Sequence, residues 1–203
     1  MSGEFVLASN NEHKFAEFSR LFPSLRIFLP REVGVALDFE ENGRTFFDNA
    51  HGKALALFGK TRRPVLADDS GLCVRALEGE PGILSNRYGA GPDGKSLETT
   101  RRNAYLLERL RGVTDRAAFF VCCLVCLFDE ERFIVVQETV HGTITEEPRG
   151  KNGFGYDPLF LVPRLGKTLA ELPDEQKDDV SHRGRAARRL AASLSARNLA
   201  VDS

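Results

Sequence analysis

The chain has 203 residues, with 28 Lys and Arg against 29 Asp and Glu and a formal net charge of -1. That length suits one large domain or two small lobes, with a sizeable core, and the near-cancelled charge excludes a global basic field aimed at nucleic acid. No apolar run approaches the roughly 20 residues of a membrane helix, and MSGEFVLASN lacks the features of a signal peptide, so a soluble, cytoplasmic protein is expected.

Phe5 to Ala8 reads as a short strand running into Ser9, Asn10 and Asn11, then Glu12, His13 and Lys14. Ser and Asn favour helix N-caps, and Phe15, Phe18 and Phe22 recur near helical spacing until Pro23. A strand, a polar turn and a helix start can offer backbone N–H groups to an anion, with Lys14 adding a full charge. An ordinary capped helix with a surface lysine fits the same residues, and the glycines of a P-loop are missing. Leu25 to Leu29 reads as a second strand. Glu40 to Gly43 forms an acidic turn, and Thr45 caps a helix that turns Phe46, Ala50, Ala54 and Leu57 inward and ends at Gly59. Asn49 and Lys53 lie one turn apart on a polar face of that helix. Glu41 stands in the loop ahead of it, where it could join a second carboxylate in space.

VLADDSGLCV, Val65 to Val74, is the stretch on which the chain turns. Two short apolar runs flank Asp68, Asp69, Ser70 and Gly71, and they read as paired strands with a tight connection. An acidic turn is the plainer reading of these ten residues; a divalent-metal or general-base site is the other. Glu78 to Lys95 is rich in Gly and Pro and reads as a long irregular loop holding Ser85, Asn86, Arg87 and Tyr88. Ser96 to Leu110 is an amphipathic helix with Leu97, Ala104, Leu107 and Leu110 inward and Arg101, Arg102, Glu108 and Arg109 in solvent. Ala117 to Phe128 and Arg132 to Thr139 form a hairpin, which Val140 to Thr145 extend with a bend at Gly142. Cys122, Cys123 and Cys126 fall within the first of these strands. Residues three apart on a strand face opposite ways, so Cys123 and Cys126 are read as core residues rather than a metal or redox pair.

In RGKNGFGYDPLF, Gly150, Gly153 and Gly155 interleave with Phe154, Tyr156 and Asp157. Glycine permits close approach and an aromatic ring can stack on a planar ligand, so either a ligand loop or a core-anchored surface loop fits. A short helix is expected near Pro173 to Lys177. Ser181 caps the last helix, with His182 and Arg183 in its first turn. Cations are unfavourable there, which points to a partner carbonyl or carboxylate for them. Arg185, Arg188 and Arg189 read as a solvated face, and the chain from Arg197 as a frayed tail. Interleaved strands and helices followed by a hairpin fit a mixed α/β sheet.

ASNNEHK, ENGRTFFDNAHGKA, LADDSGL, EPGILSNRYGA, GFGYDPLF, TLAEL and SHRG stand in an order that resembles the inosine triphosphate pyrophosphatase family. The matching pieces run from Leu7 to about Leu190. The resemblance implies a single ITPase-like α/β domain over residues 1–203, with a mixed central sheet flanked by helices and an active-site cleft between two lobes. It also implies Mg2+-dependent hydrolysis of deaminated purine triphosphates (ITP, dITP, XTP) to monophosphate and pyrophosphate, in a homodimer. Carried residue by residue, Ser9, Asn10, Asn11, Glu12, His13 and Lys14 would hold the triphosphate. Glu41 and Asp69 would bind Mg2+, and Asp69 would also accept the proton, with Asp68 in support. Ser70 would touch the substrate, and Phe154, Gly155, Tyr156 and Asp157 would frame the purine. Lys177, His182 and Arg183 would read its 6-oxo group. The expected partner is thus a purine nucleoside triphosphate, with neither nucleic acid nor membrane. A pyrimidine-nucleotide pyrophosphatase and a nucleotide-binding regulator without turnover are the competing readings.

Overall fold

A computed structural model describes residues 3–91 and 95–196. The tail expected to fray from Arg197 lies outside them, as do three residues of the long loop. The described chain runs β1 (Gly3–Leu7), α1 (Glu12–Leu21), β2 (Leu25–Phe28), α2 (Phe46–Thr61), β3 (Val65–Val74), α3 (Thr99–Arg109), β4 (Ala117–Leu127), β5 (Phe133–Ile144), β6 (Phe160–Val162), β7 (Lys167–Thr168), α4 (Asp174–Val180) and α5 (His182–Ala196). The strands are ordered β2-β1-β3-β4-β5-β6-β7. β1 pairs parallel with β2 and β3, while β6 pairs antiparallel with β5 and β7, so the sheet is mixed. Among the described residues no helix is long and apolar enough to cross a membrane.

Two compact units divide the chain. The first takes the residues up to Asp69, Cys122–Glu138 and the chain from Arg183; the second takes Ser70–Val121 and Thr139–His182. In the first unit, successive strand residues feed two different cores, as the two-residue period of a strand requires. Leu7, Leu66 and Leu124 pack with Phe18 of α1 and Leu190 of α5, whereas Val6, Val65 and Val125 pack with Ala50, Ala54 and Leu57 of α2. Strands covered on both faces read as unbroken apolar runs, which is why β1 and β4 show no alternation. The second unit builds one core, in which Leu72, Leu106, Leu110, Phe120, Phe160, Leu172 and Val180 meet.

Three expectations need correction. Val65–Val74 is one ten-residue strand, not two strands joined by an acidic turn. Low strand propensity is overridden there because Asp68 and Asp69 find cationic partners, described below. α2 continues past Gly59 to Thr61, and Arg62 closes it in a left-handed conformation with φ 52°. In α3 the buried face is Arg102, Asn103 and Leu106, while Ala104 is exposed. The hairpin, the buried free cysteines and the helix ahead of Ser181 are as expected. β5 runs unbroken through Gly142, where a Cβ would lie 2.3 Å from the Leu161 carbonyl.

Candidate active site

In the first unit the N-terminal turn is already knotted to itself. Asn11 Oδ1 accepts from the His13 and Lys14 backbone N–H groups, and Ser9 Oγ accepts from Asn11 N. The Asn11, His13 and Lys14 N–H groups therefore have side-chain partners here, and Lys14 also brings a full positive charge to the turn. Glu12 turns to Arg31, and Asn10 Nδ2 donates to Leu37 O at 3.2 Å.

Asp68 and Asp69 leave β3 with opposite surroundings. Asp68 lies between Lys14 Nζ at 2.8 Å and Arg183 Nη2 at 3.4 Å, and Arg183 also grips Glu17. Burial pushes the Asp68 carboxyl up, but Lys14, Arg183 and Lys53 outweigh it and hold the group well below the usual carboxylate range. Asp69 faces α2. Its Oδ2 accepts from Asn49 Nδ2 at 3.1 Å, and its Oδ1 lies 3.5 Å from Lys53 Nζ. The same ammonium meets Glu41 Oε1 at 2.5 Å and the Asp68 carbonyl at 3.0 Å. Burial raises the Asp69 pKa and prevails over Lys53 and Lys14, with Glu41 adding to the rise. Burial also works against the charge on Lys53, yet Asp69, Glu41 and Asp68 overcome it and hold that pKa up. Glu41 from the loop ahead of α2 and Asp69 from β3 thus converge on one lysine.

The capping box of α2 sets this geometry. Thr45 Oγ1 accepts from Asp48 N, and Asp48 Oδ2 accepts from Thr45 N, which fixes the start of the helix. Asn49 and Lys53 then follow one turn apart, both buried rather than on a solvent face. Asn49 Oδ1 accepts from Gly43 N at 2.8 Å, and a Cβ on Gly43 would come within 2.6 Å of that oxygen.

Glu41 and Asp69 are the donor type Mg2+ uses, one or two carboxylates with water and phosphate oxygens completing the shell, once Lys53 gives them up. Among the described residues no group of three or more His, Cys, Asp and Glu side chains is placed to hold a metal by itself.

In the second unit the glycine-rich loop is held by its own aspartate. Asp157 Oδ2 accepts from Phe154 N at 2.8 Å and from Lys177 Nζ at 2.7 Å. That ammonium lies 5.1 Å from the centre of the Phe154 ring, which is half-buried. Gly153 has φ 70° and Gly155 φ 62°, a region only glycine enters readily. The Tyr156 hydroxyl donates to the Ser85 carbonyl at 2.9 Å, while Ser85 Oγ accepts from Leu72 N at 2.8 Å. His182 stacks on Phe120 with centroids 4.6 Å apart and planes at 10°. Ser70 is half-buried.

A sequence model of the Ham1 family matches residues 5–193. The chain belongs to the Ham1 family. It is 54% identical over 183 residues to a dITP/XTP pyrophosphatase of Treponema denticola, covering 90% of this chain and 94% of that relative. It is 46% identical over 198 residues to the protein of the same description from Aromatoleum aromaticum, covering 96% and 98%. The solved structure of the Staphylococcus aureus Ham1 protein aligns with a TM-score of 0.83 at 42% identity, covering 96% of this chain and 99% of that one. A HAM1 protein from Coxiella burnetii gives 0.84 at 40% identity, covering 95% and 98%. The motif resemblance and the Ham1 match span nearly the same residues.

Of the expected site residues in this Ham1 chain, Lys14, Glu41, Asp69 and Arg183 gather around β3 in the first unit. Phe154, Asp157 and Lys177 gather in the second. Arg183 has the carboxylate partner its place in the first helical turn calls for, supplied by Glu17 and Asp68. In the sequence, Asn49 and Lys53 stand out as a polar face and as part of ENGRTFFDNAHGKA, without an assigned role, and nothing marks Glu17, Arg102 or Asn103 as functional. The available signal was Lys53 four residues after Asn49 in a helix whose neighbouring turns are apolar.

Proposed function

We propose that this chain is a Mg2+-dependent pyrophosphatase that cleaves deaminated purine nucleoside triphosphates (ITP, dITP and XTP) to monophosphate and pyrophosphate. The observation that carries the reading is the convergence of Glu41 and Asp69 on Lys53. The dITP/XTP pyrophosphatase description of relatives up to 54% identical supports the substrate class.

In this reading Glu41 and Asp69 hold Mg2+, which when bound neutralises phosphate charge and polarises the phosphoryl oxygens. Lys14 and Lys53 exchange their carboxylate partners for triphosphate oxygens. Asp69 takes the proton of the water that attacks the α-phosphorus. The Asn49 amide orients Asp69 by donating to Oδ2, which leaves Oδ1 as the oxygen turned toward Lys53. Ser9 to His13 shape the turn that carries Lys14, and Ser70 touches the substrate. Phe154 stacks on the purine within the Gly155-Tyr156-Asp157 frame. Lys177, His182 and Arg183 supply donors to the 6-oxo group. Adenine presents an amino donor at that position, so donors set for a carbonyl would be left unpaired against it. A cytoplasmic homodimer belongs to the same proposal.

Product analysis across ITP, XTP, GTP and ATP tests it. Pyrophosphate is expected from ITP and XTP in preference to ATP, and Asp69→Asn should lower the rate at least about a hundredfold, the usual span for a lost base. Orthophosphate as first product, or near-normal turnover by Asp69→Asn, would refute it.

A further inference from the structure

Helix α3 carries two consecutive polar side chains that are almost fully buried, Arg102 at 7% and Asn103 at 4% exposure. Simple amphipathic spacing leaves such residues in solvent. Both reach toward the glycine-rich loop. Asn103 Nδ2 donates to the Gly155 carbonyl at 3.1 Å, and the Arg102 guanidinium carbon lies 5.4 Å from the centre of the Tyr156 ring. Arg102 Nη1 also donates to the Asn86 carbonyl at 2.8 Å, so α3 ties the loop to the segment holding Ser85 and Asn86.

A carbonyl only accepts, so Gly155 fixes which end of the Asn103 amide faces the loop. The other end, Oδ1, is buried without a hydrogen-bond partner among the described residues. Packing within α3 gives no reason to bury an amide with an idle acceptor; the donor is the end in use. Its contact brackets Phe154. The Phe154 N–H is held by Asp157, and the carbonyl of the next residue is held by Asn103. Gly153 just ahead of these anchors and Gly155 at the second leave the backbone little stiffness of its own.

We infer that Asn103 is a positioning residue for purine binding: by pinning the Gly155 carbonyl it sets where the Phe154 ring meets the base. The inference rests on the proposed reading of this loop as the purine frame. It assigns Asn103 a part in affinity for the base and none in the chemistry at phosphorus.

Competition experiments separate those two. Asn103→Asp exchanges the donor for an oxygen of nearly the same shape, and Asn103→Ser shortens the side chain without burying a charge should the aspartate variant fail to fold. IMP carries the base; pyrophosphate does not. In either variant the KM for ITP and the inhibition constant of IMP should rise about tenfold, with kcat within about threefold and pyrophosphate inhibition unchanged. An IMP constant equal to wild type, or equal losses for IMP and pyrophosphate, would overturn the role of Asn103. Wild-type turnover of ITP is the control. Its absence would refute the proposed function, whereas turnover with unchanged IMP binding in the variants would refute only this inference.

Discussion

A methyl group on Gly153 would stand 2.2 Å from Asp157 Oδ2 and 3.0 Å from Lys177 Nζ, on a backbone at φ 70°. Both objections act on the ion pair that holds Phe154. Gly153→Ala should therefore cost about 1–3 kcal/mol in unfolding free energy and raise the KM for ITP more than it lowers kcat. Chemical denaturation and steady-state kinetics measure the two; an unchanged KM would separate the loop from the substrate. The two aspartates of β3 show what single residues hid. DDSG looks like a pair of equals, or a turn, because local propensity is all that ten residues display. Their difference comes from residues far along the chain: Lys14 and Arg183 around Asp68, Asn49 and Lys53 around Asp69. Glu41 was legible as a candidate, but its meeting with Asp69 depends on the path of α2, which no local pattern reveals.

Helices α1 and α5 are joined by the buried pair Glu17–Arg183, with Arg183 also on Asp68. Removing one member of such a pair strands the other charge in the core. Glu17→Leu should destabilise the protein by about 3–5 kcal/mol, and replacing Glu17 and Arg183 together by apolar residues should recover part of that. Denaturant titrations of the single and double variants give both numbers, and a single variant as stable as wild type would contradict the account. β4 makes a prediction of different kind. Burial pushes the Cys126 thiol up from 9.0 to about 12. A group held protonated by the fold adds stability that is complete below its unfolded pKa and is lost as pH rises toward the folded one. Unfolding free energy should thus fall between about pH 9 and 12, and Cys126→Val should lessen the fall. In native protein at about pH 8.5, iodoacetamide should leave Cys126 unmodified, and rapid labelling without unfolding would be the contrary result. Core cysteines were readable from FFVCCLVCLF because a strand places residues three apart on opposite faces. The buried face of α3 was not readable. Amphipathic spacing sends Arg102 to solvent, and only the partners of its guanidinium, the Asn86 carbonyl and the Tyr156 ring, explain its burial.

At the scale of the molecule, the order of elements was legible apart from the short strands β6 and β7, and the path of β3 was not. Alternating strands and helices gave the mixed sheet, and a family resemblance over nearly the whole length agrees with the Ham1 match at residues 5–193. The boundary between the two compact units falls inside β3, between Asp69 and Ser70. A tight turn there would have reversed the chain; the unbroken strand carries Ser70 on into the second unit instead. The central claim is that water, activated at Asp69, attacks the α-phosphorus of a deaminated purine triphosphate. Hydrolysis of ITP in 18O-labelled water, with both products read by mass spectrometry, tests it most directly. The account predicts one 18O in IMP and none in pyrophosphate. Label in pyrophosphate, or IDP with labelled orthophosphate, would contradict it.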